Sequence, residues 1–343
     1  MRAAVLRAQG PPDALRVEPD WPRPPRRPGE VLIRVAAAGV NPVDAKTRSG
    51  LMPRAVVALP RILGADVAGV VEEADAGSGF AKGDAVMGCT GQHFPTSKWG
   101  TYAELVAAPA ASLVPIPPGT SFEAAAAAPL AALTAWQALA PRMPLAGRAV
   151  LVHAGAGGVG SFAIQIAKAQ GARVTATCSG RNAELVTKAL GADRAVDYTR
   201  ERFEEAAPGP YDVIVDTVGG DYEPRGLPLL RKAGGGRPRG HYVNLLTHGW
   251  CERYGPRGGM ALNLLCAAKG LALPALRLGP SYALVSVDHR ADRGLRQVAQ
   301  LMAEGKVKPL VDRVFPLGAV SEAHALSDSG RARGKIVLKV ADL

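Results

Sequence analysis

The stretch from residue 149 to residue 170 limits this chain more than any other. An apolar run, Ala149-Val-Leu-Val-His153, is followed by Gly155-Ala-Gly-Gly-Val-Gly160 and then by a helical pattern ending near Gln170. The pattern G-x-G-x-x-G is weak alone, but between a strand and a helix it is specific. Gly155 is expected to make the tight turn, Gly157 to let the backbone approach a pyrophosphate, and Gly160 to let helix and strand pack closely. The helix N-terminus then offers free N–H groups and a positive dipole end to phosphates. A glycine turn in an unrelated α/β fold is the competing reading, and the strand–turn–helix setting disfavours it.

The flanking sequence agrees with an α/β chain built on a parallel sheet. Arg148–His153, Arg173–Thr177, Arg194–Val196, Tyr211–Val215, Tyr242–Leu246 and Ala283–Val287 read as strands. Gly158–Gln170 and Glu184–Leu190 read as helices between them. That alternation implies helices on both faces of a parallel sheet. The residues before Thr120 read differently, as short apolar runs between Gly and Pro, and are mostly β. Glu30–Gly39 alternates like a half-buried strand, and Lys82-Gly83-Asp84 is a turn into another. Ala124–Leu139 reads as one buried helix. Arg293–Glu304 and Lys335–Val340 read as a helix and a strand that return to the first domain.

The end of the second strand selects the cofactor. NAD sites place an acid there for the ribose 2′-hydroxyl. No acid occurs from Ala172 to Ala183, and the strand runs into Ser179-Gly180-Arg181. A hydroxyl and a guanidinium suit a 2′-phosphate, which an acid would repel. NADPH is the expected cofactor.

Charge and composition narrow the remaining classes. Lys and Arg number 41 against 30 Asp and Glu, a net +11 that calls for an anionic partner. No basic run is interleaved with aromatics, so nucleic acid is not expected. The 48 % of hydrophobic residues excludes a disordered chain. The most apolar stretch, Ala124–Leu139, holds Pro129 and is too short to span a bilayer. Four scattered cysteines make neither a disulfide scaffold nor a zinc motif, and the six histidines are also dispersed. No metal is expected. A cytoplasmic, reducing location follows, with an organelle such as the mitochondrion as the alternative if a presequence has been removed. No G-x-S-x-G supports a hydrolase. His153 reads as a packed neighbour of the cofactor, and His248 either reaches the substrate or has no role.

At this point the chain resembles the zinc-free quinone oxidoreductase branch of the medium-chain dehydrogenase/reductase superfamily. The resemblance rests on Ala38-Gly-Val-Asn-Pro-Val-Asp44, Leu63-Gly-Ala-Asp-Val-Ala-Gly-Val-Val71, Gly83–Val86, Leu133–Leu139, Ala154–Gly160, Leu190–Asp193, Asp216–Gly220 and Arg331–Lys335, in that order. Thr177-Cys-Ser and Tyr242–Thr247 are similar to the reticulon-interacting mitochondrial oxidoreductases. The resemblance implies a GroES-like, mostly β catalytic domain over residues 1–122 and 288–343. It implies a Rossmann NADPH-binding domain over 123–287, with the active site between them.

Zinc alcohol dehydrogenases of the superfamily carry a cysteine where this chain has Asn41 and a histidine where it has Ala65. Metal-assisted alcohol oxidation is therefore disfavoured. By the resemblance, Asn41 faces nicotinamide and substrate, and Thr134 lies near the nicotinamide. Ala156, Gly157, Gly158 and Val159 line the pyrophosphate. Ser179, Arg181 and Tyr198 surround the 2′-phosphate, and Thr217 and Val218 lie by the adenine ribose. Leu245, Thr247 and Val287 follow at strand ends. Arg331 and Arg333 either meet the cofactor or form a plain basic loop.

Many relatives have a tyrosine proton donor just after this N-P-x-D. Here the places hold Lys46, Leu51 and Met52. Lys46 is the candidate donor; a water donor, with Lys46 a solvated side chain, is the other reading. A quinone needs less acid help than an enoyl thioester. The expected activity is NADPH-dependent, metal-free hydride transfer to a quinone or an electron-poor enone. An enoyl-thioester reductase served by Arg237, Arg239, Arg253 and Arg257 is the enzymatic alternative, and a non-catalytic NADPH-binding scaffold the other. An edge strand at Ala283–Val287 would be covered in a homodimer.

Overall fold

The computed structural model describes residues 1–52, 54, 57–91, 97–232, 239–245, 281–284 and 287–343, with isolated residues between 258 and 272. Thr247, His248, Arg237, Arg253 and Arg257 lie outside the described residues. The chain divides into two compact units. One comprises Met1–Leu133, Asp288–Gly305 and Pro309–Leu343, and the other Thr134–Val287 with Lys306–Lys308.

The first unit is mostly β. Its strands are β1 (Ala3–Leu6), β2 (Leu15–Glu18), β3 (Glu30–Val40), β4 (Arg61–Ile62), β5 (Asp66–Glu73), β6 (Ala85–Cys89), β7 (Leu105–Pro109) and β8 (Leu113–Pro115). Two strands from the far end of the chain, Val311–Pro316 and Lys335–Lys339, join them. Lys335–Lys339 pairs with β3, which pairs with β5, β5 with β6, and β6 with β8; β7 adds to β3. β2, β1 and β4 make a smaller sheet. Strand β3 is buried on both faces except at Arg34 and its first residue, so the alternation suggested by its sequence is not realised. Val31, Ile33, Val35, Val67, Val86 and Leu338 fill the core around it.

Where β3 ends, Asn41 precedes helix α1 (Pro42–Ser49), and Pro42 takes the first helical position, where a missing N–H costs nothing. Gly50 closes this helix in the left-handed region, φ 91°. The helix expected over Ala124–Leu139 is two helices, α2 (Phe122–Ala126) and α3 (Pro129–Leu139). Pro129 cannot continue the first, but it starts the second. This break frees an N-terminal N–H at Leu130.

The second unit is a six-stranded parallel sheet. Its strands are β9 (Ala149–Val152), β10 (Arg173–Cys178), β11 (Arg194–Asp197), β12 (Val213–Asp216), β13 (His241–Asn244) and β14 (Ser281–Leu284). The spatial order is β11, β10, β9, β12, β13, β14. Counted from β9, that is third, second, first, fourth, fifth, sixth, the order of dinucleotide-binding sheets. Helix α4 (Gly158–Ala169) follows β9. The helix expected over Glu184–Leu190 is instead a π turn, Leu185–Ala189. Each strand is short and apolar because both faces of such a sheet are covered.

Candidate functional site

In the second unit, the turn between β9 and α4 is held from three sides. Ala154 carries the positive φ, 51°, so the tight conformation falls on an alanine and not on Gly155. Gly155 is required by packing instead: a Cβ there would sit 2.9 Å from both Ala176 Cβ and Ile164 Cδ1. Its N–H donates to Thr177 O at 2.8 Å. A Cβ on Gly160 would come within 2.3 Å of Ala154 O, so helix and turn meet at a distance only glycine permits. Gly157 is the N-cap of α4 and, having no side chain, makes no side-chain cap bond. The first turn of α4 carries no acid. A helix N-terminus of this kind suits an anion.

The neighbouring strand ends bring further residues to the same edge of the sheet. Ser179 opens a short turn after β10 and accepts a hydrogen bond from Asn182 Nδ2 at 3.1 Å. Arg181 lies in that turn, exposed. Tyr198 follows β11, half-exposed, with its N–H on Cys178 O at 3.1 Å. Thr217 Oγ1 donates to His153 O at 2.9 Å, and Val218 N to Asp216 Oδ1 at 2.9 Å. Leu245 N donates to Asp216 O at 2.9 Å. Thus Ala156 to Val159, Ser179, Arg181, Tyr198, Thr217, Val218 and Leu245 follow the C-terminal ends of β9 to β13, where ligands bind in such sheets. Thr134 lies buried in α3, and Val287 follows β14.

One acid was not foreseen here. β11 pairs with β10 so that Asp197 stands opposite Cys178. Its carboxylate accepts from Thr199 N at 3.0 Å, Thr199 Oγ1 at 2.7 Å and the Gly180 N–H. These bonds hold its pKa below the usual carboxylate range. A Cβ on Gly180 would meet Asp197 Oδ2 at 2.4 Å. The acid therefore anchors the Ser179–Arg181 turn. Beside it, burial and then Asp197 raise the Cys178 thiol to about 11, which leaves it a packed, unreactive residue. His153 is fully buried, edge-on to Phe203 and Tyr222 at 4.6 and 4.8 Å. Burial, then Arg225, lowers its pKa to about 3, so it stays neutral and is no proton shuttle near neutral pH.

The first unit holds Asn41, Lys46, Arg331 and Arg333. Asn41 is 4 % exposed at the β3–α1 junction. Around it lie Asp44, Asp66, Tyr102 and Lys335, all buried and none singled out by sequence. Asn41 Nδ2 donates to Asp66 Oδ2 at 2.9 Å, and Lys335 Nζ donates to Asn41 Oδ1. Lys335 Nζ also reaches Val40 O at 3.2 Å and Asp66 Oδ2 at 3.3 Å. Leu130 N, freed by the Pro129 break, donates to Asp66 Oδ1 at 2.7 Å.

Asp44 accepts from Asn41 N at 2.9 Å, Tyr102 Oη at 3.0 Å and Gly64 N at 3.1 Å. Burial raises Asp44 to about 6 despite those donors. Lys46 is half-buried on α1, and Arg331 and Arg333 are exposed before the last strand. Asp44, Asp66 and Lys335 lay inside quoted motifs and Tyr102 outside them, and pairing between distant segments is not written in any one motif.

Among the described residues, no group of three or more His, Cys, Asp or Glu is placed to hold a metal ion. Nor is any helix long and apolar enough to cross a membrane. A cavity of about 400 Å³ opens at the opposite, N-terminal ends of the strands, lined by Arg173, Arg194, Tyr211 and Arg231 among others. That end of a parallel sheet is not where dinucleotides bind.

Comparison with known proteins places these features in context. Residues 27–118 match the alcohol dehydrogenase GroES-like domain, and residues 190–338 match the family described as zinc-binding dehydrogenase. The chain is 36 % identical over 336 residues to the mitochondrial NAD(P)H oxidoreductase RTN4IP1 of Mus musculus, covering 91 % of this chain and 82 % of that protein. It is 34 % identical to the chloroplastic NADPH-dependent alkenal/one oxidoreductase of Arabidopsis thaliana, covering 98 % and 79 %. The solved quinone oxidoreductase of Coxiella burnetii superposes with a TM-score of 0.82 at 33 % identity, over 99 % of each chain.

Proposed function

This chain belongs to the medium-chain dehydrogenase/reductase superfamily, and from that premise we propose that it reduces quinones and electron-poor enones with NADPH. The observation that carries the reading is the uncapped glycine N-terminus of α4 beside the Ser179–Arg181 turn. It fits the cofactor at both ends of the adenosine. Ala156, Gly157, Gly158 and Val159 would take the pyrophosphate on backbone N–H groups. Ser179, Arg181 and Tyr198 would take the 2′-phosphate, with Thr217 and Val218 along the adenine ribose. Thr134, Leu245, Thr247 and Val287 would border the nicotinamide, and Arg331 and Arg333 would add positive charge near the phosphates. We read the first unit as the catalytic domain and the second as the cofactor domain.

Zinc does not fit the superfamily's metal positions at residues 41 and 65. At the superfamily's metal positions Asn41 and Ala65 present an amide and a methyl group, neither of which replaces a thiolate or an imidazole. When bound, NADPH supplies the hydride, which adds to the electron-poor carbon of the acceptor. The Asn41 amide donates to the acceptor oxygen as negative charge grows there. Lys46 delivers the proton that completes the hydroquinone or the saturated ketone.

The sheet order ends at β14, Ser281–Leu284, among the described residues, and a second copy of the chain would cover that edge. Cys89 and Cys178 are buried free thiols, in keeping with a reducing compartment such as the cytoplasm. The names of the two relatives given above place those proteins in the mitochondrion and the chloroplast.

The test is a panel followed by NADPH absorbance, with a small quinone, a small enone and crotonyl-CoA. NADPH turnover with the quinone or the enone, exceeding that with crotonyl-CoA, is the expected result. Efficient turnover of crotonyl-CoA with inert quinones would replace this reading by an enoyl-thioester reductase. Tight NADPH binding with no turnover of any acceptor would leave a cofactor-binding scaffold.

A further inference from the structure

Asn41, Asp66 and Lys335 come from three distant parts of the chain, yet their side chains leave each other little freedom. An ammonium has only donors, so Lys335 Nζ must face the amide oxygen of Asn41, and it does. A carboxylate has only acceptors, so Asp66 Oδ2 must face the amide nitrogen, at 2.9 Å. The amide orientation is thus fixed by the chemistry of its two neighbours. One hydrogen of the NH2 group goes to Asp66. The other has no acceptor among the described residues.

The surrounding backbone is shaped for this arrangement. A Cβ on Gly39 would come within 2.9 Å of Asp66 Oδ2 and 2.5 Å of Ala126 O. Gly334, at φ 82°, lies against Leu310 O at a distance of 2.2 Å for any Cβ, and delivers Lys335 into the core. Lys335 N then donates to Leu310 O at 2.8 Å. A buried ammonium needs partners to offset its lost hydration, and here they are a carboxylate, a backbone carbonyl and an amide oxygen.

We propose that Lys335 is the positioning residue of the reaction. It turns the Asn41 amide so that one N–H is presented to the acceptor oxygen, and its charge polarises that N–H as a donor. The inference rests on the reductase reading above. Asp66 receives the second N–H and balances the charge of Lys335, so the amide is held from both ends before substrate arrives.

The experiment is a double-mutant cycle in the full chain with Asn41→Ala, Lys335→Met and both together. It reads kcat with the best acceptor, NADPH affinity and thermal melting. Loss of one oxyanion donor lowers turnover by about 10²–10³. Asn41→Ala is expected in that range, and Lys335→Met is expected to lower kcat at least about tenfold. NADPH affinity should stay within about twofold in both. In the double variant Lys335→Met should add almost nothing, because its effect passes through Asn41. Losses that multiply, or a folded Lys335→Met with unchanged kcat, would overturn the proposal.

A second measurement covers the case in which Lys335→Met does not fold. The side-chain amide protons of Asn41 in the wild-type chain are identified by NMR from their loss in Asn41→Ala. One is expected to be protected from exchange, and the other to shift when p-nitrophenolate is added as an oxyanion probe. Two equivalent, rapidly exchanging protons would overturn the assignment. If no acceptor is reduced by the wild-type chain, the reductase reading fails while this measurement still decides the amide geometry.

Discussion

In the turn before α4, the helix N-cap Gly157 offers no side chain to cap the N–H groups, whereas around Asn41 the polar atoms of Lys335, Asp66, Asp44 and Tyr102 are occupied by one another and by nearby backbone groups. On the function proposed above, the first arrangement is a receptor open to an anion. The second is a clamp that is complete before any ligand binds, except for one amide N–H. The difference suits the two roles proposed for them. A phosphate brings its own charge and can be met by fixed dipoles. A charge that develops only during reaction needs a donor already oriented. The open site is therefore made of glycine and local backbone, and the clamp of buried side chains drawn from distant segments.

The comparison can be broken first at the glycine turn. Gly160→Ala would place a methyl group 2.3 Å from Ala154 O, where only backbone movement can relieve it. Overpacking costs reach about 3 kcal/mol, so NADPH binding is expected to weaken by about a hundredfold. Calorimetric titration with NADPH checks this. Near-wild-type affinity would mean that the turn tolerates a Cβ and that the close approach is not essential.

A smaller effect is expected at the phosphate end. Ser179→Asp with Arg181→Ala removes a charged hydrogen-bond donor and adds an acid. A charged hydrogen bond is worth about 1.5–3 kcal/mol, so the NADPH-to-NADH preference should fall by at least about tenfold. The ratio of kcat/KM for the two cofactors reads it. An unchanged ratio would remove this turn from 2′-phosphate recognition.

The smallest effect concerns pH. Asp44 is raised to about 6, so it favours the folded state while protonated and loses that contribution as pH rises through 6. His153 is lowered to about 3, so its contribution is present above its ordinary value and is lost as pH falls toward 3. Between pH 6 and pH 4 the two oppose each other. Asp44→Asn removes the term that grows on acidification. Its stability should then fall more steeply with acid than that of the wild type, by up to about 1.4 kcal/mol per pH unit. Denaturant midpoints at pH 4, 5 and 6 measure the slope, and parallel curves would show that Asp44 does not titrate in this range.

How much of this was legible follows from the same contrast. The turn at residues 154–160 is contiguous, and its context of strand and helix is visible in the 22 residues from 149 to 170. Even so, the strained φ sits on Ala154, because a glycine signature marks where side chains do not fit and does not say why. The turn that holds Ser179 and Arg181 after β10 was visible for the same local reason. Asp197 was not, since it arrives from the next strand through pairing with Cys178. The break at Pro129 was visible as a residue but not as a consequence. Only in the fold does the freed Leu130 N–H meet Asp66.

The sequence by itself determined the parallel sheet, the glycine turn and the family, because period, glycine spacing and strand length are properties of neighbouring residues. The tertiary structure decided how the Asn41 amide is held. Asp66 stands 25 residues from it and Lys335 stands 294, and the hydrogen bonds that orient its amide exist only once β3, β5 and the last strand lie side by side. A buried charge has meaning only through its partners, and partners so far apart in the chain are chosen by the fold.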